Sequence, residues 1–79
     1  MQIIVRCFAS VREVLGQDRL ELEVQDGTTV AGVRALLAAR WPEFGRLRCA
    51  CAVNRGYVPA TRVLVAGDEV AFIPPISGG

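Results

Sequence analysis

The sequence contains no histidine and no lysine, so its nine basic residues are all arginine. Without histidine the chain has no ordinary general base at neutral pH and no imidazole for a metal, which argues against a self-sufficient enzyme and against a metal centre. Without lysine it offers no side-chain amine through which copies of itself could be joined by isopeptide bonds. Cysteine is scarce. Cys7, Cys49 and Cys51 form an odd set without framework spacing, which fits reduced thiols in a cytoplasmic protein better than a disulfide scaffold. An excess of one charge is lacking too: nine arginines stand against eight acids, spread along the chain, so no electrostatic footprint for nucleic acid is present. No uncharged stretch approaches membrane-spanning length and no basic-then-apolar leader is visible. The expectation is a soluble cytoplasmic chain that starts at its own Met1 and has no membrane partner.

Hydrophobic residues make up 52% and charged ones 22% of the 79 residues, too apolar for disorder and sufficient for one small core. A single domain over 1–79 is expected, without repeats or linkers. Residues 2–8 read as a strand with Ile3, Val5 and Cys7 on one face and Ile4, Arg6 and Phe8 on the other, and two apolar faces point to a central position. Ser10 and Glu13 have the spacing of a capping box, and Gly16 stops the short helix that follows. Leu20, Leu22 and Val24 alternate with Glu21, Glu23 and Gln25 as a half-buried strand, expected antiparallel to the first.

After the Asp26-Gly27 turn, Thr28 or Thr29 is a natural N-cap for the main helix, which runs to about Arg40. Val30, Val33, Leu37 and Trp41, with Leu36 beside them, form its apolar stripe, and Gly32 is expected to permit close approach to a strand. Pro42 ends the helix, and Glu43-Phe44-Gly45 opens a polar connection through Arg46 and Arg48. Residues 49–53 suit a buried strand, with Cys49 and Cys51 as small core residues. Asn54-Arg55-Gly56 is a hairpin turn into Tyr57-Val58, Pro59 limits that strand, and 62–65 form a further brief strand or extended segment.

The C-terminal stretch carries the strongest signal. Gly67-Asp68 is a turn, Val70 to Ile73 is a short run of β-formers, and Pro74-Pro75 then ends the ladder and stiffens the exit. Extended at ~3.1 Å per residue, residues 74–79 would reach roughly 18 Å beyond the sheet. Gly78-Gly79 lacks Cβ atoms and ends in the α-carboxylate, a thread suited to a narrow channel, although a bare diglycine also fits an ordinary chain end.

The run Gly67-Asp68-Glu69-Val70-Ala71-Phe72-Ile73-Pro74-Pro75-Ile76-Ser77-Gly78-Gly79 resembles the C-terminal signature of the small, sulfur-carrying subunit family of molybdopterin synthase. Residues 8–16, Phe8 to Gly16, resemble that family's first loop and short helix. The resemblance implies an α+β fold, the ubiquitin-like β-grasp. In it a mixed sheet of four to five strands carries one main and one short helix, and the last strand lies parallel to the first at the sheet centre. It further implies that the Gly79 carboxylate is adenylated by a ubiquitin-activating-type adenylyltransferase, which uses the ATP, and is then converted to a thiocarboxylate. The implied destination is the active site of the molybdopterin synthase large subunit, in a heterotetramer, where sulfur passes to cyclic pyranopterin monophosphate. No cofactor is expected on this chain itself.

Gly79 is therefore the candidate catalytic position. Phe72, Pro75, Ile76, Ser77 and Gly78 are candidate partner-binding residues, with Phe72 read first as a core residue and Ser77 excluded as a nucleophile because no histidine serves it. The Cys49-x-Cys51 pair reads as structural. Two rival functions share the diglycine: a ubiquitin-like modifier joined to target lysines, and a thiamine-pathway sulfur carrier.

Overall fold

In the computed structural model of the chain, which describes residues 1–75, five strands form one mixed sheet in the order β2-β1-β5-β3-β4. The strands are β1 (Gln2–Cys7), β2 (Arg19–Glu23), β3 (Ala50–Val53), β4 (Gly56–Tyr57) and β5 (Glu69–Ile73). Helix α1 (Ala9–Leu15) follows β1, helix α2 (Val30–Arg40) follows β2, and a 3-10 turn at Phe44–Arg46 leads into β3. β1 and β2 pair antiparallel, Ile3 opposite Leu22 and Val5 opposite Leu20. β5 lies in the middle, parallel to β1 (Val5 opposite Val70) and antiparallel to β3 (Cys51 opposite Phe72). No helix among the described residues is long and apolar enough to cross a membrane.

Alternation along the strands divides the sheet into two faces. Ile3, Val5, Cys7, Val53, Val70 and Phe72 point inward and are buried with Val30, Val33 and Leu37 of α2 and Val11 and Leu15 of α1 in one cluster. Thr29 is the N-cap of α2, its hydroxyl accepting from the Gly32 N–H at 3.1 Å. Trp41 closes the helix through its N–H to the Leu37 carbonyl at 2.7 Å, and Pro42 follows. Gly16 ends α1 at φ +75°, a conformation that costs glycine nothing.

Several details depart from the sequence reading. The capping box does not form: α1 begins two residues early, Phe8 is its N-cap without a side-chain bond, and Ser10 lies inside the helix. Ala9 takes φ +47° to make that entry, which sends Val11 and Leu15 into the core. Of the two forms read for residues 62–65, the structure has the extended segment and not the strand, with Thr29 and Val63 forming an isolated bridge. Their backbone serves α2 instead. The Arg62 and Ala60 carbonyls accept from the Val30 and Ala31 N–H groups at 3.0 Å each, satisfying donors that the helix start leaves free. Gly32 faces no strand, since a Cβ there would meet the Thr28 methyl at 3.1 Å. Leu36 is 48% exposed and lies off the buried stripe.

The expected polar connection after α2 hides a core residue. Phe44 is fully buried and stacks edge-on against Phe72, with ring centres 5.2 Å apart and planes at 79°. Cys49 and Cys51 are half-buried rather than core, because they open onto a cleft between β3 and α2.

Candidate functional site

β5 is the element that aims the chain's end. Hydrogen-bonded neighbours flank it on both sides, and its start is locked by a buried carboxylate. Asp68, 5% exposed, accepts from the Asn54 side-chain amide at 3.0 Å and from the Val65 N–H at 2.9 Å. Asn54 in turn accepts from the Glu69 N–H at 3.0 Å. Asn54 and Arg55 both have positive φ, as the tight turn between β3 and β4 requires. The Gly67 N–H bonds the Gln2 carbonyl at 2.8 Å and ties the same corner to β1. The strand is thus fixed at its root and along its length.

The chain leaves β5 at Ile73, with Pro74 half-buried and Pro75 exposed. Neither proline can donate to β1 or β3, so the ladder stops where the sequence reading put its end. Pro74 and Pro75 form one wall of a hollow with Arg48, Cys49, Ala50, Tyr57 and Ile73. Of the candidate partner-binding residues, Pro75 is available at the surface. Phe72 is not: at 1% exposure it belongs to the core, and its place as a partner-facing anchor is corrected to that of a support beneath the tail root. Ile76, Ser77, Gly78 and Gly79 lie outside the described residues.

The outer sheet face supplies what the sequence reading missed. Ile4, Arg6, Ala52, Glu69, Ala71 and Ile73 lie there by register, and no helix crosses it among the described residues. Phe8 and Tyr57 flank the hollow at its centre and are 44% and 73% exposed. Arg6 stands amid this apolar surface, its guanidinium 3.8 Å from the Glu69 carboxylate and 5.9 Å from the Phe8 ring centre. Its Nε is buried and has no acceptor among the described residues. The signal was present in the alternation of Ile4, Arg6 and Phe8, read there as a second apolar face that marks a central strand. β1 does have a strand on either side, but among the described residues a helical layer covers just one of its faces.

A sheet of this order with α2 laid across one face is the ubiquitin-like β-grasp, and similarity to known proteins narrows the class. The ThiS family model matches residues 5–79. The chain belongs to the ThiS family, and it groups with molybdopterin synthase sulfur carrier subunits. The protein of that name from Mycobacterium tuberculosis is 41% identical over 85 residues, covering 100% of this chain and 99% of the relative. Its Escherichia coli namesake is 43% identical over 83 residues, covering 98% and 99%. Among solved structures, SAMP1 from Haloferax volcanii superposes with a TM-score of 0.88 at 25% identity, each chain fully covered. The two curated relatives match this chain over nearly their whole length and SAMP1 shares its fold, and a sulfur-carrier role follows for the chain.

Proposed function

We propose that this sulfur carrier works through the carboxylate of Gly79 and donates sulfur within a molybdopterin synthase complex. The observation that carries this reading is the exit of the tail from the central, doubly paired strand, directly after Ile73, through two prolines. A tail rooted there keeps its direction while a partner's channel receives it, so the globule serves as a handle and the chemistry falls at the main-chain terminus.

A carboxylate is a poor electrophile. An adenylyltransferase of the ubiquitin-activating type would convert it to an acyl adenylate at the expense of ATP, and sulfur would then displace AMP to leave a thiocarboxylate. That group is an anion whose sulfur attacks as a thiolate does. The acceptor is cyclic pyranopterin monophosphate, and the groups that bind and protonate it belong to the large subunit. The chain's lack of histidine and lysine is compatible with this division of labour.

The outer face supports docking of that large subunit. It joins exposed aromatic surface at Phe8 and Tyr57 to Ile73 at the tail root, and the Arg6 Nε offers a donor that awaits an acceptor. Pro75 and Ile76 would continue the contact towards the channel.

The test is the intact mass of the chain after co-expression with its activating enzyme. Replacement of one oxygen by one sulfur, mapped to the C-terminal peptide, is expected. A chain that is adenylated but never gains sulfur would refute the reading. Similarity to SAMP1 of Haloferax volcanii, a small archaeal modifier protein by name, favours a second activity as a protein modifier. That activity would appear in the same cells as larger adducts retaining the diglycine on target lysines.

A further inference from the structure

Cys49 and Cys51 take no part in the chemistry of the chain end, yet both face one cleft. Cys51 in β3 and Cys49, one residue before that strand begins, both line a cavity of about 430 Å³ with Val30, Arg34, Val58 and Phe72. Both thiols are free and half-buried. Arg34 enters from α2 and is held in place, its Nη2 donating to the Leu47 carbonyl and its guanidinium carbon lying 5.0 Å from the Phe44 ring centre. Its Nη1 is buried and has no hydrogen-bond partner among the described residues. A fixed cation with an unused N–H beside two sulfurs can balance negative charge that develops on those sulfurs.

The number of ligands decides which guest fits. No group of three or more metal-ligating side chains exists among the described residues, so a tetrahedral zinc site is not formed here. Two sulfurs suffice for a soft monovalent ion, which selects thiolates over harder donors. Its uptake balances simply: one Cu(I) and two thiols give a bis-thiolate complex and two released protons. That complex carries one negative charge, and Arg34 supplies the opposite one. We propose that Cys49, Cys51 and Arg34 form a binding site for a thiophilic monovalent metal ion of the Cu(I) class, with the two sulfurs as ligands and the guanidinium as counter-charge. In the metal-free chain burial, and next the neighbouring Cys49, push the Cys51 thiol up to about 11, while Arg34 pulls it down.

The test is an anaerobic titration of the full chain with Cu(I) against a coloured Cu(I) chelator, with Zn(II) as the comparison ion and native mass spectrometry for stoichiometry. One Cu(I) per single chain is expected, with no comparable Zn(II) uptake. Binding should fall by about 100-fold in Cys49→Ser or Cys51→Ser and by about 10-fold in Arg34→Gln, with recovery in Arg34→Lys. Cys7→Ser should bind as the parent does, because Cys7 is 2% exposed and does not line the cleft. Circular dichroism of each variant separates lost binding from lost fold. Undiminished binding in a folded chain lacking both Cys49 and Cys51, an ion bridging two chains, or equal affinity in Arg34→Gln would overturn the site.

Discussion

The two faces of the sheet are built from the same strands and serve opposite ends. Inward, Val5, Val70, Phe72 and Val53 meet α2 and the 3-10 turn and are buried to within a few per cent. Outward, one residue along each strand, Arg6, Ala71 and Ile73 have no helical layer over them among the described residues. Single-residue alternation thus separates the positions that hold the fold from those a partner can use. β5 belongs to both sets: Phe72 anchors it from within, and Ile73 presents it to the outside. Substitutions on the two faces should therefore fail differently.

The largest effect is expected from the inner face. Phe72→Ala removes the ring that packs edge-on against Phe44 and should cost about 3–5 kcal/mol, read as a lowered midpoint in chemical denaturation. A small loss would mean that the inner face does not carry the stability assigned to it. Next comes the lock at the root of β5. Asp68→Ala leaves the Asn54 amide and the Val65 N–H without their acceptor and should cost about 1–3 kcal/mol, with faster amide exchange at Glu69. On the outer face, Tyr57→Ala should leave stability within about 0.5 kcal/mol of the parent, since the side chain is 73% exposed. The same change should weaken large-subunit binding by about 10-fold or more in calorimetry. Loss of stability without loss of binding would reverse the assignment of the faces. The smallest effect is a gain. Ala9→Gly relieves a positive φ at the entry to α1 and should add about 0.5 kcal/mol.

The sequence carries the elements whose signals are local. The alternation of Leu20 and Leu22, the Thr29 cap, the Asn54 turn and the Pro74-Pro75 stop each depend on neighbours in the chain, and each appears in the structure. What it hid is tertiary. Phe44 sits between Glu43 and Gly45 and looks like a loop position; residues far along the chain, the ring of Phe72 among them, make it core. The Ser10 capping box gave way to Phe8 at the N-cap, in the register that buries Val11 and Leu15. Residues 62–65 look like a strand by composition, yet their neighbourhood supplies acceptors for the start of α2. The site divides in the same manner. The diglycine and its stiff approach can be read directly from the chain, whereas the outer face becomes visible only when the layers are counted.

The central claim is that the reacting atom lies at the extreme C-terminus and that the β-grasp is its handle. It is tested most directly by single-turnover sulfur transfer to cyclic pyranopterin monophosphate, with the large subunit and the activating enzyme present. The chain lacking Gly79 is compared with the parent, and circular dichroism reports on the fold of both. The expected result is a native spectrum with no transferred sulfur. Sulfur transfer at the parental rate by the shortened chain would contradict the account.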